Sequence, residues 1–307
     1  PRIVILGGGP AGEHDVSIRS AQAVHEALKP NTPACELITF QREIPFDKLN
    51  ASRDILFLTT HGTFGEDGAL QAMLDAKDFI YTGASAEASS LCFHKQQTRL
   101  MAERLGIKVA AGIVFAQTPE PMALFKTLGP KLVIKPEADG SSIGLHIVES
   151  LSALASVLKN LEEKTYLAEK FIEGRELTCG YLNGEALSPV EIIPQGGVYD
   201  FQRKYTSGET RYEFPAKLSP EMTLIVQDAT KRLCNAAGVR DFARVDFRLT
   251  PEGKLFFLEI NTLPGLTATS LLPKSAAGSG LNFAELLQAM LDGARARFLA
   301  KYALTIA

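Results

Sequence analysis

The chain alternates short aliphatic runs with stretches whose apolar positions recur every three to four residues. Residues 3–6 (Ile3, Val4, Ile5, Leu6) form one such run and end in glycines. Ile18, Ala21, Val24 and Leu28 then follow at helical spacing and stop before Pro30. This predicts a strand, a loop and a helix, with Ser17 as the helix N-cap. Residues 36–40 and 55–59 are short enough for buried parallel strands, so residues 1–84 are expected to form a small α/β layer. Residues 85–105 turn helical and close at Gly106, where a C-cap glycine is expected, and strands are predicted over 113–116 and 131–135. A small polar loop, Glu137 to Gly144, separates apolar strands and precedes a helix over 151–161 and a strand over 166–171. Strands over 177–182 and 186–193 lead into residues 195–213, which carry three glycines and few aliphatics. A loop of that length inside a compact chain is usually functional. A helix over 221–237, strands over 243–249 and 255–260 and a helix over 283–302 complete an α/β (α+β overall) pattern without internal repeats.

Composition narrows the class of protein. A chain of 307 residues with 46% hydrophobic and 22% charged residues is long enough for two or three cores and is neither disordered nor fibrous. The net charge of −3, from 32 basic and 35 acidic side chains, gives no global field for phosphodiester backbones or anionic lipid, so nucleic acid is not expected as a partner. No apolar run approaches the ~20 residues that span a bilayer, and the chain opens on a strand rather than a signal segment. No membrane association is expected, and the cytoplasm is the expected compartment. The four cysteines, Cys35, Cys92, Cys179 and Cys234, are widely spaced among apolar neighbours and read as reduced core residues.

Several motifs carry chemistry. Gly7-Gly8-Gly9-Pro10-Ala11-Gly12 satisfies the dinucleotide-binding spacing after a strand, but Glu13-His14-Asp15 follows at once. A tight structural turn, a dinucleotide loop and a small zwitterionic ligand site all remain open there. His61-Gly62-Thr63-Phe64-Gly65-Glu66-Asp67-Gly68 lies past the third strand, where open α/β sheets bind ligands; capping of a helix by Asp67 and a structural role for His61 are the plainer alternatives. Ser141 and Ser142, between Gly140 and Gly144 and six residues past Lys135, offer hydroxyls and N–H groups suited to a phosphate, or form a surface hairpin. Arg244-Val245-Asp246 and Glu259-Ile260-Asn261 fall on consecutive strands. With period-two alternation, Glu259 and Asn261 share a face, and an antiparallel neighbour would bring Asp246 and Arg244 beside them. Two carboxylates and an amide form the all-oxygen donor set that holds Mg2+ against polyphosphate; an exposed polar sheet face with an ordinary Arg–Asp pair is the plainer alternative.

Taken in order, these segments resemble the D-alanine–D-alanine ligases of the ATP-grasp superfamily. They are the glycine-rich loop with Glu13, H-G-T-F-G-E-D-G, Y-T-G at 81–83, V-I-K-P at 133–136, D-G-S-S-I-G at 139–144, A-E-K-F-I-E-G-R-E-L at 168–177, R-V-D-F at 244–247 and L-E-I-N-T-L-P-G-L-T at 258–267. The resemblance runs over essentially the whole chain. It implies a three-domain ATP-grasp fold, with a Rossmann-like domain over 1–84, a central domain over 85–172 and a C-terminal domain over 173–307. By position, Lys95, Lys135 and Lys204 would bind the ATP phosphates, while Glu169, Lys170, Phe171 and Ile172 form the adenine-reading hinge. Glu176 matches the ribose-hydroxyl acceptor, and Asp246, Glu259 and Asn261 match the ligands for Mg2+, or Mn2+ in its place. The resemblance further implies that Glu13 holds a first D-alanine, with Ser141 and Tyr205 closing the long loop. His61 would contact substrate, Arg244 and the Gly265 N–H would face an oxyanion, and Ser270 would hold the second substrate's carboxylate. The implied activity is ATP-dependent joining of two D-alanines through an acylphosphate for the peptidoglycan precursor, in a homodimer. His94, Asp139, Leu266 and Thr269 depart from common family residues, which keeps D-serine, D-lactate or another amino acid in view as second substrate. A noncatalytic nucleotide-binding homologue is a further alternative, although all the matching metal-ligand positions are kept.

Overall fold

A computed structural model describes residues 1–10, 12–140, 144–194 and 210–303. The first layer is a parallel sheet. β1 (Arg2–Gly8) lies between β2 (Cys35–Phe40) and β3 (Asp54–Leu58), and β4 (Ile80–Tyr81) extends the order to β2-β1-β3-β4. β1 and β3 are aliphatic almost throughout because helices cover both faces. Helix α1 (His14–Leu28) turns Ala21, Val24 and Leu28 into that core. Burial of Val24 and of Leu28 contributes about 1.5–3 kcal/mol each relative to exposure.

α1 begins one turn earlier than expected, with Glu13 at the N-cap position. Ser17 is therefore inside the helix. Its hydroxyl donates to the Glu13 carbonyl at 3.1 Å and accepts the His61 N–H at 2.9 Å. The glycines before α1 are explained by close approach: a Cβ on Gly7 would lie 2.5 Å from Ala21 Cβ, and one on Gly8, at φ +106, 2.0 Å from the Phe40 carbonyl oxygen. Helix α2 (Ala69–Asp75) follows the His61 segment.

The expected helix over 85–105 is two helices, α3 (Ala86–Phe93) and α4 (Lys95–Arg104). His94 is extended between them, at φ −86 and ψ 101, because Glu137 takes over the start of α4. The Glu137 carbonyl accepts the Lys95 N–H at 3.1 Å, and its carboxylate accepts the Gln96 N–H and faces His94 Nδ1, both at 2.9 Å. At the other end Gly106, at φ 72, donates to the Glu103 carbonyl and Ile107 to that of Ala102, each at 2.9 Å. That is the glycine-terminated helix end the sequence predicts.

β5 (Lys108–Val109) then leaves for the large sheet, while β6 (Gly112–Phe115) starts a smaller antiparallel one. The smaller sheet, in the order β6-β9-β7-β8, contains β7 (Leu132–Pro136), β8 (His146–Val148) and β9 (Tyr166–Lys170), covered by α5 (Pro121–Leu128) and α6 (Leu151–Lys159). The large sheet has the order β12-β11-β10-β13-β14-β5, built from β10 (Arg175–Leu182), β11 (Glu185–Pro194), β12 (Thr210–Glu213), β13 (Phe242–Leu249) and β14 (Leu255–Asn261). Helix α7 (Pro220–Ala236) packs on one side of it and α8 (Leu271–Gly278) against β10 and β11. The last helix, α9 (Phe283–Ala303), returns to the first layer: Leu286, Leu287, Met290 and Leu291 share its core. Asp241, Arg297 and the Gly83 N–H tie the two regions, with Arg297 donating twice at 2.7 Å to the Asp241 carboxylate.

Cys92, Cys179 and Cys234 are buried, and burial pushes the first two thiols up to about 12, but Cys35 is only half-buried at the start of β2. No helix among the described residues is long and apolar enough to cross a membrane.

Candidate active site

A cleft partly open to solvent lies between the smaller antiparallel sheet and the large sheet. Its walls at one end are apolar, from Val133, Leu145, Ile147, Phe171, Ile172 and Leu258. Lys95, Lys135, Asp139, Glu169, Glu176, Asp246 and Glu259 bring charge along it. Clefts with an apolar slot and a few convergent polar groups are typical small-ligand sites.

Lys95 enters from the start of α4 and is buried; its ammonium donates to the Asp139 carbonyl. Burial pulls its pKa down, Lys135 pulls the same way, and Glu259, Asp139 and Glu137 oppose them. The site thus holds a desolvated cation without full compensation, which is favourable ground for a polyanion. Lys135 sits on β7 and pairs at 2.5 Å with Glu169 on β9, whose other oxygen accepts from Arg99 at 2.8 Å. All three side chains are nearly buried. Sequence reading missed Arg99, since a single arginine on a helix carries no signal until its partner strand is known.

Across the cleft, Asp246 on β13 is the register partner of Glu259 on β14, and Arg244 of Asn261. The predicted juxtaposition of these four residues is present. Asp246 accepts two 2.9 Å hydrogen bonds from Arg244, one of 2.6 Å from the Thr178 hydroxyl and one of 3.2 Å from the Asn261 amide. Thr178 had no signal of its own; it is placed by the β10–β13 register. Among the described residues no group of three or more histidine, cysteine or carboxylate side chains is placed so that it could hold a metal ion by itself. A divalent cation would therefore rest on Asp246, Glu259 and the Asn261 amide oxygen, with water and phosphate oxygens completing its shell. The donor set is of the hard type that suits Mg2+.

At the other end of the site, Glu13 is buried, and its carboxylate and that of Glu66 both approach Gly140: a Cβ there would lie 3.4 Å from Glu13 Oε2 and 3.5 Å from Glu66 Oε2. Glu66 also accepts the Gly62 N–H at 2.9 Å. Asp67 lies just before Gly68, the N-cap residue of α2, and accepts from the Ala69 N–H at 2.9 Å and the Phe64 N–H at 3.0 Å. His61 Nδ1 donates to the Leu263 carbonyl, since a carbonyl can only accept, and Nε2 then accepts from the Ser20 hydroxyl, both at 2.9 Å. Both ring nitrogens are thus committed to the protein. Ser20 also accepts the Leu266 N–H at 3.4 Å, so α1 and His61 together hold the segment around Gly265. Gly265 faces Ser270, whose Oγ would lie 2.9 Å from a Cβ at 265; Ser270 Oγ in turn accepts from the Thr267 N–H at 3.0 Å. Ser270 stands at the N-cap position of α8. Lys170, Phe171 and Ile172, which the resemblance expects to read adenine, line the cleft at the end of β9, and Glu176 pairs with Arg248 at 3.1 Å. Ser141, Lys204 and Tyr205 lie outside the described residues.

A cleft between an antiparallel sheet and a larger mixed sheet, in which Lys95 and Lys135 share the lining with Asp246 and Glu259, is the arrangement of a nucleotide-dependent ligase of the ATP-grasp type. The sequence profile described as D-ala D-ala ligase C-terminus matches residues 102–292. The D-alanine–D-alanine ligase of Aquifex aeolicus is 38% identical over 294 residues, covering 94% of this chain and 99% of that protein. The crystal structure of D-alanine–D-alanine ligase from Bacillus anthracis complexed with ATP superposes with a TM-score of 0.82 at 28% identity, covering 98% of both chains. The VanG D-Ala:D-Ser ligase from Enterococcus faecalis does so at 0.79 and 26%, covering 94% of this chain and 98% of that one. The chain belongs to the D-alanine–D-alanine ligase family.

Proposed function

We propose that the protein joins two D-alanine molecules at the expense of ATP, supplying the dipeptide for the peptidoglycan precursor. The observation that carries the reading is the meeting, in one cleft, of the Lys95 and Lys135 ammonium groups with the Asp246–Glu259 pair, in a chain similar end to end to D-alanine ligases. Domains over 1–84, 85–172 and 173–307 are proposed on the family resemblance, with β5 crossing into the large sheet and α9 packed back on the first. A homodimer and a cytoplasmic place are proposed on family grounds.

In this reading adenine lies against Phe171 and Ile172, Glu176 takes ribose hydroxyls, and Lys95, Lys135 and Lys204 offset the phosphate charge. Asp246, Glu259 and Asn261 would hold Mg2+, or Mn2+ in its place, which would supply positive charge to the polyphosphate. Glu13 takes the ammonium of the first D-alanine, and the carboxylate of that D-alanine attacks the γ-phosphate to give an acylphosphate and ADP. The second amine then attacks the acyl carbon; the N–H of Gly265 and the Arg244 guanidinium face the oxyanion, and phosphate leaves. Ser270 holds the second carboxylate. His61 acts through the Leu263 carbonyl, fixing the segment that carries Gly265. Ser141 and Tyr205 complete the cover that keeps water from the acylphosphate.

ADP release by the purified protein, measured with ATP and Mg2+ and each of D-alanine, D-serine and D-lactate, tests the reading. ADP release that depends on D-alanine alone supports it. ADP formation that requires D-serine or D-lactate beside D-alanine moves the second substrate, and no amino-acid-dependent release overturns it.

A further inference from the structure

We propose that Arg248 is a nucleotide-positioning residue: it locks the hinge that follows β9 against β13 and orients Glu176 toward the ribose. The inference rests on the nucleotide reading of the cleft. Arg248 lies two residues beyond Asp246 on β13, directly opposite Glu176 in the β10–β13 ladder, and lines the cleft. Its guanidinium is spent on the hinge. Nε donates to the Ile172 carbonyl at 3.1 Å, Nη2 to the Gly174 carbonyl at 2.9 Å and Nη1 to the Glu176 carboxylate at 3.1 Å. The same group lies 5.1 Å from the centroid of the Phe171 ring, which Lys131 also approaches, at 4.3 Å.

Two further features show that the hinge is seated on β13 rather than loosely beside it. Gly174 has φ +134, and a Cβ there would lie 2.1 Å from the Leu249 carbonyl oxygen, so the backbones approach as closely as glycine allows. The Arg248 side chain is only 12% exposed, and its hydrogen bonds to Ile172 and Glu176 are partly buried. Only a planar fork with several fixed donors can serve two carbonyls and a carboxylate at once; an ammonium on a flexible stem cannot. Arg248 therefore links the element that faces the adenosine to the strand that carries Asp246, and holds the cleft at one width. It does not reach the phosphate end, where Lys95 and Lys135 lie.

The test is calorimetric titration of the wild-type protein, R248M and R248K with ATP, 2′-deoxyATP, 3′-deoxyATP and inorganic tripolyphosphate, with kcat measured at saturating ATP. Wild type is expected to prefer ATP to at least one deoxynucleotide. In R248M, ATP affinity should fall about 10-fold, the deoxynucleotide preference should collapse to within about 2-fold, and tripolyphosphate affinity and kcat should stay within about 2-fold. R248K, which keeps the charge without the fork, should fall between the two and carries the test should R248M not fold. Unchanged ATP affinity and deoxynucleotide preference in the variants would overturn the inference. So would equal losses toward ATP and tripolyphosphate, which mark general damage. A wild-type protein that binds no ATP would instead overturn the reading of the cleft itself.

Discussion

Arg244 grips Asp246 through two hydrogen bonds of 2.9 Å, so a guanidinium assigned to the oxyanion is tied to a carboxylate assigned to the metal. The pair couples the two halves of the proposed reaction. Replacing Arg244 by alanine removes an oxyanion donor and also a cation that competes for Asp246. Turnover should fall by ~10²-fold or more while ATP affinity holds. The Mg2+ concentration for half-maximal nucleotide binding should shift downward. Steady-state kinetics and Mg2+ titrations of nucleotide binding check both, and near-normal turnover would remove Arg244 from the mechanism.

Glu13 is buried, and its carboxylate approaches Gly140 together with that of Glu66. Two carboxylates converging there suit an ammonium ion. Glu13→Gln keeps the shape and removes one charge, so affinity for the first D-alanine should weaken roughly 10-fold to 100-fold, with ATP binding unaffected. Kinetics with D-alanine varied at saturating ATP report this; an unchanged D-alanine dependence counts against the assignment.

Gly265 leaves space that Ser270 occupies. A methyl group at 265 would lie 2.9 Å from Ser270 Oγ, too close for either to stay in place. In G265A the KM for the second D-alanine should rise and kcat fall, each by roughly 10-fold, while ATP titrations match wild type. If G265A keeps wild-type kinetics, Ser270 does not depend on this contact.

Lys274, on α8, lies 4.5 Å from the Tyr212 ring, with its ammonium on the Thr269 carbonyl; burial lowers its pKa from 10.5 to about 8. Between about pH 8 and 10.5 the folded protein carries this lysine neutral while the unfolded chain still binds the proton, so stability rises with pH across that window, declines as pH falls from 10.5 to 8, and is level below 8 where both states are protonated. K274M removes the half-buried charge. At pH 7 it should be the more stable protein by about 1 kcal/mol, allowing for solvent screening, and the advantage should vanish near pH 10.5. Urea unfolding of both proteins at pH 7 and pH 10 reads the difference; a pH-independent difference contradicts the assignment.

Where the sequence alone was sufficient, a short-range rule was at work. Alternation along two consecutive strands brings Asp246, Glu259 and Asn261 together, and Gly106 marks the end of α4. The rest depends on contacts distant in sequence. The break at His94 is made by Glu137, far along the chain, and no local pattern announces it. Ser17 looks like a cap but serves His61 from within α1. α8 went unpredicted because Pro273 reads as a breaker, yet in the first helical turn its missing N–H has no intrahelical partner to lose. Arg99, Thr178 and Arg248 became visible only when pairing placed Glu169, Asp246 and Glu176 beside them.

The central claim is that the first D-alanine is activated by phosphorylation of its carboxylate in this cleft. The most direct measurement supplies D-alanine labelled with 18O in its carboxylate, together with ATP and Mg2+, and follows product and phosphate by mass spectrometry. The account predicts D-alanyl-D-alanine with one 18O atom in the released inorganic phosphate for each dipeptide formed, beside unlabelled ADP. Dipeptide formed with unlabelled phosphate, or with the label in AMP, would contradict it.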